Sequence, residues 1–226
     1  LSEGSRYKEE PMSEELKKSV TDKIQTKRSP EDQKISEMIH NGYEEGDQNN
    51  AANLWLDAWT RIVKAYGGKK HDFYTLCEIF HSKFSIDAYE WIDDMEEMFS
   101  EVLCDEEKYF RKWMAFQAGL LDNFIEIDED VLKDVKTSLA LNHFKTGDAP
   151  GGDKLFEELI KQFPEDDMLY LYWSEPYEEE GGGYEKIPPD YNKALAILQK
   201  ALDYSDCENL EEIQEAMKVL KKKIKK

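Results

Sequence analysis

The chain has 226 residues, 35% of them charged and 40% hydrophobic, and a net charge of −20. The last nine residues hold six lysines and no acid, so the rest carries −26, a field that repels nucleic-acid phosphates and anionic membranes. Three widely spaced cysteines without a CxxC pair (Cys77, Cys104, Cys207) exclude a disulfide framework and a zinc site, and a reducing cytoplasm is the expected setting.

Residues 1–12 are expected to be disordered, and Ser13 to Lys27 carries a thin helical stripe of Leu16, Val20 and Ile24. Residues 1–28 thus read as a flexible segment with a short helix, and residues 29–226 as the folded domain. The N-terminus is polar and charged, unlike a signal peptide, and no apolar run nears the ~18 residues that span a bilayer. Ser29-Pro30-Glu31-Asp32 starts a helix, with a capping Ser, Pro in the first turn and acids at the positive end of the dipole. That helix carries Ile35, Met38 and Ile39 and stops near Gly46-Asp47. The next, from Asn49 to Tyr66, presents Trp55, Ala58, Trp59, Ile62 and Val63 and ends at Gly67-Gly68.

A short helix is expected over Asp72 to Phe84. Ser85 is read as the cap of a stronger one bearing Ile92, Met95, Phe99 and Val102. Asp105 caps the next, with Phe110, Trp113, Met114 and Leu121. Asp128 to Phe144 follows, with Leu132, Val135 and Leu139 on one side. Gly147 to Gly152 reads as a turn, Asp153 to Phe163 as a helix stopped by Pro164, and Asp166 to Ser174 as another ended by Pro176. After a Gly- and Pro-containing insertion, helices resume over Asp190 to Tyr204 and Asn209 to Ile224. No segment alternates strongly enough to be a strand.

One register recurs: a small residue, a bulky apolar one four positions on, and Ala or Leu seven on. It appears as Ala51, Trp55, Ala58, as Gly152, Phe156, Leu159, and as Ala194, Leu198, Ala201. Gly46-Asp47 and Gly147-Asp148 precede the first two. Small residues let paired helices approach closely, and the bulky one fills the gap to the next pair. With Leu139, Ala140 and Pro164, this pattern resembles degenerate tetratricopeptide-type repeats. From about Tyr89 to Leu202, the runs Phe156 to Asp166 and Asp190 to Leu198 are similar to the helical part of bacterial SEC-C-motif proteins. The Cys-rich tail of that group has no counterpart here, so zinc is not carried over. The resemblance implies an all-α, right-handed α-solenoid of antiparallel helix hairpins, about ten helices in all, with a concave groove that binds a protein or peptide.

No catalytic, cofactor-binding or metal residue is assigned. His71-Asp72 reads as a solvated turn. Cys77 and His81, four apart, supply too few ligands for zinc, as does His40 elsewhere. His143 reads as a packed or capping imidazole. Glu126, Asp128 and Asp130 mimic the start of a calcium loop, but Val131 and Thr137 stand where Gly and Glu are needed. Gly181-Gly182-Gly183 has no P-loop context. The densest aromatic region supplies the candidate partner-binding residues: Tyr170, Trp173, Tyr177 and Tyr184, with Tyr172 and Trp173 shared with the core. A non-enzymatic interaction scaffold is the leading expectation, with a partner that the acidic surface would favour as basic. An acidic antitoxin, immunity protein or nucleic-acid mimic is the alternative, and oligomeric state is not legible.

Overall fold

The computed structural model describes residues 28–99, 107–178, 183–203 and 209–225. The stripe of Leu16, Val20 and Ile24, the triple-glycine loop apart from Gly183, Val102, Asp105, Cys104 and Cys207 lie outside them. Among the described residues the fold is all-helical, with ten α-helices and no strand. They are α1 (Pro30–Glu44), α2 (Gln48–Tyr66), α3 (Phe73–Ile79), α4 (Ala88–Glu97), α5 (Glu107–Asn123), α6 (Glu129–Lys145), α7 (Ala149–Gln162), α8 (Met168–Ser174), α9 (Tyr191–Ala201) and α10 (Leu210–Ile224). A π-turn, Phe80–Phe84, extends α3, and a 3-10 turn, Glu175–Tyr177, extends α8.

Side-chain caps fix most helix starts. Ser29 and Asp32 form a reciprocal capping box at α1. Asp47, Asp72, Asp128, Asp148 and Asp190 each accept a backbone N–H in the first turn of α2, α3, α6, α7 and α9. Two expectations shift. Asp87, not Ser85, caps α4; Ser85 takes a left-handed conformation (φ 61°) that closes the π-turn. The turn expected over Gly147 to Gly152 is shorter, because Asp148 Oδ1 accepts from Gly151 N at 3.1 Å and brings Pro150, Gly151 and Gly152 into the first turn of α7.

Two apolar clusters meet in α6. Val135 belongs to the cluster built by α1 to α5, whereas Ala140 and Phe144 belong to the one built by α7 to α10. The first is aromatic: Trp113 stacks between Phe99 and Phe116, with ring centroids 5.5 and 4.9 Å away. On α5 the buried apolar residues are Tyr109, Trp113, Phe116 and Leu120, whereas Phe110, Met114 and Leu121 from the expected stripe are only half-buried. In the second cluster Phe156 stacks on Trp173 at 6.1 Å.

All nine residues of the recurring register are buried. α1 packs on α2, α6 on α7, and α9 on both α8 and α10. Close approach is achieved differently in the first two pairs. In α1–α2 the small residue is Gly42 on the first helix, seated under Trp55, whose Nε1 donates to Ile39 O at 3.0 Å. In α6–α7 it is Gly152 on the second helix, seated under Phe144. Asp167, buried at the start of α8, accepts from Asn209 N and Nδ2 at 2.7 and 2.8 Å and so ties the start of α10 to α8.

Candidate functional site

A groove of about 530 Å³ runs along α6. Its floor is the α6 face carrying Asp134, Ser138, Leu141 and Asn142, positions that a 3.6-residue period brings to one side. One wall is α8, through Met168 and Tyr172; the other is Glu96, at the end of α4. The groove is therefore assembled from three helices.

Its chemistry is divided. Leu141, Met168 and Tyr172 form an apolar side, and Tyr172 is 40% exposed there. The other side is acidic. Burial, together with Asp134 and Asp93, raises the Glu96 carboxyl above its ordinary range, against a hydrogen bond with Ser138 that lowers it. Asp134 is exposed; loss of water around its carboxyl, with Asp130 close by, raises it too. Both groove lysines are engaged. Lys133 Nζ lies 3.3 Å from Asp166 Oδ2 and 3.6 Å from Asp130 Oδ1, and Lys145 Nζ lies 5.4 Å from the centre of the Phe110 ring. On that floor Asn142 is 4% exposed and donates its Nδ2 to Gln117 Oε1 at 3.3 Å.

The aromatic residues singled out for partner binding are placed elsewhere. Tyr170, Trp173, Tyr177 and Tyr184 are all buried, at 4% exposure or less, and cannot offer their rings to a partner. The polar ends of Tyr170, Trp173 and Tyr177 are consumed internally. Asp153 Oδ1 accepts from Trp173 Nε1 and from Tyr177 OH, both at 2.8 Å, and Asp153 Oδ2 accepts from Lys193 Nζ at 2.5 Å. Lys193 Nζ also donates to Tyr177 OH at 2.8 Å, closing a network across α7, the 3-10 turn and α9. Tyr170 OH donates to Pro164 O at 3.0 Å. Burial raises the hydroxyls of Tyr177 and Tyr184, Asp153 adding to the first and Glu175 to the second. Of this aromatic group the ring that faces solvent is Tyr172, expected to contribute to the core. Its position on α8, one residue before buried Trp173, was the available signal.

The remaining candidates resolve into structure. His71 O accepts from Ile125 N and Ile125 O from Phe73 N, so Asp72 and Ile125 form a single isolated backbone bridge. His143 Nδ1 lies 2.8 Å from Asp148 Oδ2, at the cap of α7. Cys77 is half-buried, and burial followed by Asp87 pushes its thiol up to about 12. Among the described residues no group of three or more His, Cys, Asp or Glu could hold a metal ion. Nor is any helix among them long and apolar enough to cross a membrane. Comparison with protein-family models, with curated proteins and with solved structures found no match.

Proposed function

We propose that the chain is a non-enzymatic interaction scaffold, a right-handed solenoid of tetratricopeptide-like antiparallel hairpins that holds a segment of another protein in the groove on α6. The observation that carries this reading is the groove's make-up. Its lining comes chiefly from α6 and α8, the leading helices of two successive pairs, and includes an exposed Tyr172 beside Leu141 and Met168. In helical-repeat architecture that face is the concave one, and an aromatic ring with two half-buried aliphatic side chains gives it apolar area to cover. The SEC-C-like resemblance of the runs Phe156 to Asp166 and Asp190 to Leu198 is compatible with such a scaffold.

Panning a random twelve-residue peptide library against the full chain tests this. Enriched peptides should compete with one another and lose affinity on Tyr172→Ala and Leu141→Ser. No enrichment, or affinities indifferent to both substitutions, would remove the reading.

A second reading, an acidic antitoxin, immunity protein or mimic that neutralises a basic target, is favoured by a different surface. Tyr74 and Tyr89 are 50% and 43% exposed, and Glu78, Asp87 and Asp128 lie within electrostatic reach of them or of Cys77 between them. Binding there would weaken steeply with salt and survive Tyr172→Ala.

A further inference from the structure

We propose that a second groove, between α2 and α5, docks an extended, proline-rich segment of a partner protein that carries a basic residue among its prolines. This groove shares no residue with the one on α6. Runs of proline are all but absent from random twelve-residue libraries, so the two grooves are probed separately.

The groove holds about 410 Å³, and its apolar lining is Leu56, Trp59 and Val63 of α2 with Ala115, Phe116 and Gly119 of α5. The rings of Trp59 and Phe116 stand 4.7 Å apart. Four observations carry the proposal. The first is an unused donor. Trp55, Trp113 and Trp173 give their Nε1 hydrogens to Ile39 O, Ser138 Oγ and Asp153 Oδ1. Trp59 is only 6% exposed, lines the groove, and among the described residues its Nε1 has no acceptor. A buried N–H left unpaired is costly, and an arriving carbonyl removes that cost. Gly119 leaves the indole edge uncovered, since a Cβ there would stand 3.1 Å from Trp59 Nε1. The second is the balance of polar groups. Thr60 spends its hydroxyl hydrogen on Leu56 O, and Asn53 Oδ1 accepts from Lys112 Nζ at 2.6 Å. An ordinary extended segment would press its own N–H groups against Leu56, Val63 and Phe116. Proline has none, and in the polyproline conformation its carbonyls stay free to accept. The third is length. Asn53 and Val63 are ten positions apart on α2, about 15 Å at the helical rise, which about five residues cover at the polyproline rise of about 3.1 Å. The fourth is charge. Exposed Asp57 forms no ion pair among the described residues, and Arg61, one turn on, is held by Glu31 at 2.6 Å. Its carboxylate suits a Lys or Arg of the segment, while Lys112 is engaged by Asn53 and lies 5.4 Å from the centre of the Tyr109 ring.

The test titrates the full chain, labelled with 15N, with a nine-residue peptide of eight prolines and a central arginine, and follows the indole N–H signals by NMR. The Trp59 signal, identified by its loss in Trp59→Phe, should move downfield and saturate, and should move further than any other indole signal. Trp59→Phe keeps a ring but removes the donor and should weaken binding about tenfold, the effect of one lost buried hydrogen bond. A glycine-serine peptide with the same central arginine is not pre-ordered and should bind at least about tenfold more weakly than the proline peptide. Replacing the arginine by glutamate should weaken binding about threefold or more, and Asp57→Asn should erase that difference. Gly119→Ala places a methyl beside Nε1 without removing a core ring, so it reads the same contact even if Trp59→Phe fails to fold, and it too should weaken binding. A Trp59 signal that stays still at saturation overturns the proposal. So do equal binding of the glycine-serine peptide, affinity unchanged in Gly119→Ala, an arginine preference that persists in Asp57→Asn, or no binding at all.

Discussion

Gly152 on α7 lies so close to Phe144 on α6 that a Cβ there would stand 2.4 Å from the phenyl ring. Gly42 bears the same relation to Trp55, at 2.1 Å. Helix propensity favours Ala over Gly by about 1 kcal/mol, but forcing a methyl into a filled core costs about 1–3 kcal/mol. The rings are pinned, Trp55 by its bond to Ile39 O and Phe144 by Tyr177 edge-on at 5.5 Å, so the clash should win. We expect Gly152→Ala and Gly42→Ala each to lower stability by about 1–2 kcal/mol in urea unfolding. Gly46→Ala, with nothing within 4 Å, is the control and should change stability by less than about 0.5 kcal/mol.

Asp153 is the hub for Trp173, Tyr177 and Lys193. Asp153→Ala leaves two buried donors without their acceptor and a lysine without its carboxylate. A loss of about 2–4 kcal/mol is expected, with a changed near-ultraviolet spectrum from Trp173. Asp153→Asn keeps an acceptor and should cost less. Equal stability of Asp153→Ala and the parent would show the network to be idle.

Acid titration should show two opposed phases. Glu96, Asp134 and Glu175 have carboxyls raised in the folded state, first by burial, so their protonation favours folding as pH falls from 7 toward the ordinary carboxylate range. Asp32 and Asp148 behave oppositely. Burial alone would raise Asp32, but bonds from Tyr66 and Ser29, with Lys83 nearby, hold it below the usual range. Burial would raise Asp148 as well, but bonds from Gly151 N and His143 hold it low. Their contribution is full above the unfolded carboxylate value near 3.9 and is lost as pH falls through their folded values. The urea midpoint should therefore rise and then fall on acidification, and Glu96→Gln with Asp134→Asn should flatten the rise.

Tyr172 and Tyr177 should separate binding from stability. Tyr172→Ala is expected to leave stability within about 0.5 kcal/mol while weakening groove peptides. Tyr177→Ala removes a buried ring and should cost about 3–5 kcal/mol, measured by thermal unfolding. A reversal of the two effects would return the interaction surface to Tyr177.

The helices and their starts were legible because caps and periodicity act within four residues. Asp47, Asp128 and Asp190 need only their own first turns to satisfy backbone N–H groups. The recurring register was legible for a related reason, since its small and bulky positions fall at steps that return to one face. Ser85 was misread because the local signal for a cap also fits Asp87, and only the π-turn, with Ser36 Oγ donating to Phe84 O at 3.0 Å, decides between them.

Met168 to Ser174 shows where such reading ends. Its seven residues are apolar or aromatic apart from the last, so no periodic contrast marks an outer face. Asp153, on another helix, and the neighbouring core turn Trp173 inward and leave Tyr172 in the groove. By itself the sequence determined an all-helical chain, most of its capped boundaries and the residues of the recurring register, because those follow from local backbone needs and apolar spacing. Which ring meets solvent, and that Glu96 and Asp134 share one groove, was decided only in three dimensions, because both depend on packing between helices distant along the chain.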